Sequence, residues 1–165
     1  MKFEVSATGE FTNVRGCLLV QRYEVELDCG KCGAKKSKLR VDEASEVSHK
    51  ISNKKSASYN TTMTCSCGTE INLKIDEPEE FIEVDDVYGE NPIMVHPVVK
   101  DRCVLSHLWS DGGVVTGINN VHLTLVSENK ERYFNVDIAK GIVAEQGETK
   151  PCRIENFKLE ITQLN

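Results

Sequence analysis

Residues 22–33 read Arg22-Tyr23-Glu24-Val25-Glu26-Leu27-Asp28-Cys29-Gly30-Lys31-Cys32-Gly33. Tyr23, Val25 and Leu27 alternate with charged residues up to the first cysteine, the period of a strand with one buried face. The strand then runs into two cysteines at x2 spacing followed by a glycine, a turn that presents two sulfurs to one ion. The pattern returns at residues 59–75. Tyr59, Thr61, Met63 and Cys65 share one face of a strand entering Cys65-Ser66-Cys67-Gly68, and Ile71, Leu73 and Ile75 share one face of the strand that leaves it. Strand, knuckle and strand, twice over, is the layout of a zinc ribbon clipped at its hairpin tips.

The expected metal ligands are Cys29, Cys32, Cys65 and Cys67, holding one Zn²⁺ in a closed four-thiolate site. A closed site has no coordination position for substrate, so the expected role is structural. The second pair has one intervening residue instead of two. Its convergence on the same ion needs a tighter, differently aimed turn. That departure leaves open a site of three cysteines plus His49 or another group, a site weaker than the standard one, or a redox role for Cys65 and Cys67. Lys31, Lys35, Lys36 and Lys38 beside the first knuckle are cations that would balance thiolate charge.

Alternation dominates the remainder, and the fold class expected is all-β. Phe3, Val5 and Ala7 open the chain in this style, and Phe157, Leu159 and Ile161 close it. Val121, Leu123 and Leu125, a polar turn at 127–132, and then Phe134, Val136 and Ile138 read as a hairpin. Asp111-Gly112-Gly113 and Gly117-Ile118-Asn119-Asn120 are turn chemistry. The stretch 45–58 reads as an exposed loop, and short helices are left open at 42–50 and 139–146.

The net charge of −6 conceals two opposite segments. Residues 76–90 carry eight acidic side chains and no basic ones, whereas residues 31–55 carry eight basic and three acidic. The expected organisation is an N-terminal β lobe at 1–75, an acidic connector at 76–92 and a C-terminal β lobe at 93–165, or one compact domain overall. No run of 18 apolar residues is present, so no membrane-spanning helix is expected. Glu4 interrupts any apolar core of a signal peptide, and seven cysteines without a disulfide framework suit a reducing compartment. The expectation is a cytoplasmic protein, with the nucleus as the alternative.

Cys17, Cys103 and Cys152 have no partner at ligand spacing and read as buried thiols. The four histidines form no HxxxH or HExxH pattern; His107, close to Trp109 and Asp111, is the best of them for a binding surface. No nucleophile elbow, phosphate loop or paired-carboxylate context is present, and no enzyme activity is expected. The basic stretch 31–55 holds no aromatic side chain for base stacking, which disfavours nucleic acid as a partner.

The CGKCG knuckle after an alternating strand, the small residues Lys55-Ser56-Ala57-Ser58 before the second pair, and the all-β second half resemble the eukaryotic CXXC-motif-containing zinc-binding proteins. The resemblance covers nearly the whole chain. It implies two similar Greek-key, barrel-like β motifs in tandem, with zinc on the two cysteine pairs. The CSC spacing departs from the family's usual CxxC. The family supplies no reaction. The sequence therefore points to a zinc protein that serves as a protein-interaction module, with a nucleic-acid-binding ribbon or a thiol-redox or metal-handling protein as alternatives.

Overall fold

The structure is a computed structural model that describes the chain except residues 53–54, 87, 137, 139–141, 146–149 and 165, and leaves aside the side chains of 48–52, 55–57, 142 and 144. Among the described residues there is no helix, and the named strands pair antiparallel throughout. In chain order the strands are β1 (Lys2–Thr12), β2 (Gly16–Leu19), β3 (Arg22–Cys29), β4 (Lys35–Asp42), β5 (Val47–Ser52), β6 (Lys55–Tyr59), β7 (Thr61–Thr64) and β8 (Glu70–Asp76). They continue with β9 (Ile82–Val84), β10 (Ile93–Pro97), β11 (Arg102–Asp111), β12 (Gly113–Asn119), β13 (Leu123–Val126), β14 (Arg132–Val136), β15 (Ile142–Glu145) and β16 (Cys152–Leu164).

Among the described residues the strands form four sheets, in the orders β15-β16-β1-β11-β8-β7, β14-β13-β2-β10-β9, β12-β3-β4 and β5-β6. Each of the three larger sheets draws strands from both sides of residues 76–92, and β9 lies within that segment, paired to β10. The first and last strands, alike in their alternation, are direct partners, with Val5 opposite Ile161 and Ala7 opposite Leu159. Their ladder slips between Thr8 and Glu10. There Asn156 adopts φ 53°, and Gly9 passes so close that a Cβ would stand 2.6 Å from the Glu155 carbonyl oxygen.

Alternation in β3 places Tyr23, Val25, Leu27 and Cys29 on the buried face. One main core gathers these with Phe3, Val5 and Ala7 of β1, Leu105 and Leu108 of β11 and Ile71 and Leu73 of β8. A smaller cluster of Val84, Val95 and Val126 fills the five-stranded sheet on its β9 side. Leu105 is fully buried at the middle of β11. Leu105→Ala is expected to cost about 2–5 kcal/mol in urea unfolding. A loss no larger than that of a surface substitution would place Leu105 outside the core.

Local expectations differ from the structure at several points. The face of residues 59–65 is not one strand, because Asn60 separates β6 from β7. Its Nδ2 donates to the carbonyls of Glu43 at 3.3 Å and Ser45 at 2.8 Å, and its Oδ1 accepts the Ile75 N–H at 2.7 Å. Within the stretch 45–58, β5 and β6 pair with each other where a loop was expected, and 42–50 is a turn followed by β5 instead of a helix. Of the second candidate helix, 142–145 is strand β15, and 139–141 and 146 lie outside the described residues.

In β14, Phe134 is 63% exposed although it was expected to share a face with Val136. A register slip opposite Leu123–Leu125, with Asn135 at φ 50°, turns Tyr133 and Val136 inward and Phe134 out. The acidic segment, lastly, is not a bare connector. Besides β9, it contains a turn closed by Asp86, whose side chain accepts the N–H groups of Tyr88 at 3.0 Å and Glu90 at 2.9 Å and the Asn91 amide at 2.8 Å. The Glu90 N–H, first, and the Asn91 side chain hold the Asp86 carboxyl below its usual range.

Candidate metal centre

The cluster forms where two hairpin tips meet. The β3–β4 tip carries Cys29 and Cys32, and the β7–β8 tip carries Cys65 and Cys67. All four sulfurs lie within 4.8 Å of one another. Cys29 Sγ stands 3.7 Å from Cys67 Sγ, and Cys32 Sγ stands 3.6 Å from Cys65 Sγ. Thiolates bound tetrahedrally at about 2.3 Å from a metal are about 3.8 Å apart, so the donor set fits such an ion. The arrangement crosses between knuckles and leaves Cys29 and Cys65 buried while Cys32 and Cys67 are exposed.

The backbone explains how the two spacings converge. In the first knuckle the Gly33 N–H donates to the Cys29 carbonyl at 2.9 Å, and the Cys29 N–H donates to the Ala34 carbonyl at 2.9 Å. In the second, the Gly68 N–H donates to the Cys65 carbonyl at 2.8 Å, and the Cys65 N–H donates to the Thr69 carbonyl at 2.8 Å. The two loops share this closure, and the second is one residue shorter. Both end on a glycine in the left-handed region, Gly33 at φ 75° and Gly68 at φ 91°, which side-chain-bearing residues adopt with strain. A CSC pair thus serves as a contracted knuckle. Cys65 and Cys67 occupy a turn beyond the end of β7, not a flat strand.

Sulfur charge is balanced chiefly by backbone donors. The N–H groups of Cys32 and Lys31 lower the Cys29 thiol to about 6. The Thr69 hydroxyl, with its oxygen 3.1 Å from Cys67 Sγ, and the Thr69 N–H lower Cys67. At Cys32 the Ala34 N–H also lowers the thiol, but the sulfurs of Cys65, Cys67 and Cys29 together push it up to about 11. Four sulfurs this close resist being charged together without a cation among them. Lys35, expected to offset thiolate charge, is engaged elsewhere, with its Nζ 3.6 Å from Asp28 Oδ1.

The sign of the Cys29 shift sets a pH window. An unperturbed cysteine keeps its proton to about 9, whereas folded Cys29 has lost it by about 6. The contribution of this thiolate is complete above 9 and disappears as pH falls through 6. Metal ligation requires deprotonated sulfur. Acid titration of the metal-loaded chain is therefore expected to release metal at or below about pH 6, followed with a chromogenic chelator. Release already half complete near pH 8 would mean that the knuckle N–H groups do not hold the charge.

A third hairpin tip, unrecognised as part of the site from sequence, completes it. Gly112, between β11 and β12 at φ 83°, accepts the Gly30 N–H at 2.9 Å through its carbonyl. A Cβ on Gly112 would stand 2.3 Å from the Glu70 carbonyl oxygen. The Asp111-Gly112-Gly113 turn is therefore wedged between the two knuckles. Its glycines were legible as a turn, but nothing local to them indicated the neighbours. Thr69 was likewise missed; its signal was a hydroxyl two residues past the second pair.

The other candidates behave differently. Cys17, Cys103 and Cys152 are buried as expected. Cys17 and Cys103, distant in sequence, touch: the Cys103 side chain, and then burial, raise the Cys17 thiol well above its usual value. Burial pushes Cys152 up to about 12. His107 faces Glu4, with its Nε2 3.5 Å from one carboxylate oxygen, while Arg102 Nη2 lies 2.5 Å from the other. Trp109 is 45% exposed beside it; its Nε1 donates to Asp76 at 3.2 Å, and Lys2 Nζ sits 5.5 Å from its ring centroid. The His49 side chain lies outside the described residues.

No family model matches the chain. An uncharacterized protein of Encephalitozoon cuniculi (strain GB-M1) is 29% identical over 154 residues, covering 87% of each chain. The fold is also found among solved structures. A hypothetical protein from Plasmodium falciparum superimposes with a TM-score of 0.74 at 8% identity, over 98% of this chain and 99% of its own. The crystal structure of C1orf123 superimposes with a TM-score of 0.75 at 11% identity, over 99% of this chain and 100% of its own. The chain thus has an all-β fold also found in these solved structures, and carries four cysteines placed to hold a metal.

Proposed function

We propose that Cys29, Cys32, Cys65 and Cys67 hold one Zn²⁺ per chain in a structural role, and that the braced corner they form is an interaction surface for a protein partner. On this reading the chain groups with the CXXC-motif-containing zinc-binding proteins that its knuckles resemble, and works in the cytoplasm. The observation that carries it is the sulfur tetrahedron, whose 3.6 and 3.7 Å edges are those of a thiolate site. Zinc suits four thiolates, because it is redox-silent and accepts tetrahedral geometry without preference. When bound, it supplies cross-linking and not Lewis-acid chemistry, since four protein sulfurs fill its coordination shell. The chain's own part is to hold the sulfurs in place. Strands β3 and β8 anchor the knuckles to the core, and the N–H groups of Lys31, Cys32, Ala34 and Thr69 direct sulfur lone pairs.

Native mass spectrometry is expected to find one zinc per chain. Cobalt substitution should give the visible absorption of a tetrahedral tetrathiolate. A chain that retains no metal after purification with zinc, or a cobalt spectrum of octahedral type, would sink the assignment. For the partner, a pull-down comparing wild type with Cys29→Ser should recover a protein that the variant loses. Recovery of RNA or DNA with steep salt dependence would replace the protein-interaction reading with the nucleic-acid one.

A further inference from the structure

The four knuckle sulfurs differ in what can reach them. Cys32 and Cys67 are exposed, whereas Cys29 and Cys65 are only 3% and 2% exposed. The sulfur contacts run between the tips, Cys67 Sγ to Cys29 Sγ at 3.7 Å and Cys32 Sγ to Cys65 Sγ at 3.6 Å. Each contact therefore joins one sulfur open to solvent to one that is buried. An oxidant-sensing thiol needs access from solvent, and it needs a resolving thiol beside it. The cluster holds that arrangement twice.

Position also selects the partner. Disulfide sulfurs lie about 2.0 Å apart, so each crosswise contact has less than about 2 Å to close. Closing it draws the two tips together where they already touch. The turn hydrogen bonds of Gly33 to the Cys29 carbonyl and of Gly68 to the Cys65 carbonyl stay in place. Cys17, Cys103 and Cys152 are fully buried, beyond the reach of an oxidant in solution.

We propose that the cluster is a hydroperoxide-responsive switch, in which oxidation joins Cys67 to Cys29 and Cys32 to Cys65 and frees the metal. The Cys67 thiolate attacks the hydroperoxide; a sulfur–oxygen bond forms, the oxygen–oxygen bond breaks and hydroxide leaves. The Cys29 thiolate then attacks the resulting sulfenic acid at sulfur; the disulfide forms and a second hydroxide leaves. Two thiolates lose two electrons, and the hydroperoxide gains them. A second hydroperoxide oxidises Cys32, which Cys65 resolves in the same way. Thiolate is the zinc ligand, so two disulfides leave the ion without ligands. The tips stay joined by covalent bonds in its place. Metal release rests on the zinc reading above, and the linkage pattern does not.

The test adds hydrogen peroxide stepwise to the zinc-loaded chain, alkylates remaining thiols and maps linkages by mass spectrometry of a non-reduced digest. Bonds Cys29–Cys67 and Cys32–Cys65 are expected, with zinc reaching a chromogenic chelator in step. Cys17, Cys103 and Cys152 should be recovered as thiols after unfolding. Hydrogen-exchange protection at 29–34 and 65–69 should persist, and a dithiol reductant should restore zinc binding. Cys32→Ser, at an exposed position, should form the Cys29–Cys67 bond alone. If the chain holds no zinc, the metal reading falls while the linkage map of the purified chain still decides the switch. Bonds within a knuckle, sulfinic or sulfonic acids in place of disulfides, loss of protection at the tips, or four thiols untouched by peroxide would overturn the inference.

Discussion

Cys29→Ser, or exhaustive chelation of the native chain, is expected to lose the metal and melt one corner of the molecule while leaving the rest folded. Cys29 is buried at the end of β3 and faces Cys67 across the knuckles. Serine there supplies a weak ligand in place of a thiolate, and three close sulfurs lose the cation that makes their joint charge tolerable. Structural zinc contributes about 10–16 kcal/mol in small zinc-finger peptides. The effect on global stability here is expected to be smaller, roughly 3–6 kcal/mol. The β1–β16 and β1–β11 ladders do not pass through the cluster, although Cys29 and Cys65 belong to the main core.

Hydrogen exchange distinguishes the alternatives. Protection should vanish at residues 29–34, 65–69 and 111–113 and persist in β1 and β16. Uniform retention of protection after metal loss would show that the sulfurs do not brace the tips. Collapse of protection in β1 would show that the whole fold depends on them.

Gly112→Val should be nearly as damaging, although it touches no sulfur. Position 112 lies at φ 83°, where a β-branched residue is strongly disfavoured, and even a Cβ would meet the Glu70 carbonyl oxygen at 2.3 Å. Backbone, unlike a flexible side chain, has little room to yield, so either the turn or the second knuckle must move. The expected cost is roughly 3–5 kcal/mol in denaturant unfolding. Metal affinity should fall with it, because Glu70 opens β8 just after Cys67 and Gly112 also receives the Gly30 N–H of the first knuckle. Trp109, the single tryptophan and three residues from Gly112, reports on the region by fluorescence. Gly33→Ala is the informative comparison. A Cβ there meets nothing within 4 Å, so only the backbone strain of φ 75° remains and the loss should be smaller. Equal losses at the two positions would refute the wedge.

Much of the candidate site was open to reading from the chain alone. Alternation in Tyr23-Val25-Leu27 and Ile71-Leu73-Ile75 marks strands with one buried side, and the structure buries all six residues. The glycine after each cysteine pair marks a turn, and the structure closes both turns with Gly33 and Gly68 at left-handed φ. Misreadings arose where one residue changes the register. The slip at Asn135 turns Phe134 to solvent, and Asn60 divides an apparently continuous strand. A period of two has no memory of an inserted residue, so every side chain beyond a bulge changes face.

By itself, then, the amino-acid order settled the strand-rich character, the two sulfur-bearing tips and the buried faces beside them, because these depend on residues a few positions apart. Only the three-dimensional structure decided that β1 lies between β11 and β16, that the sulfurs pair crosswise between tips, that Gly112 lies between the knuckles and that His96 is sealed beside Glu80. Those features join residues 16 to 162 positions apart, and local periodicity carries no information on which of many possible strand partners closes a sheet.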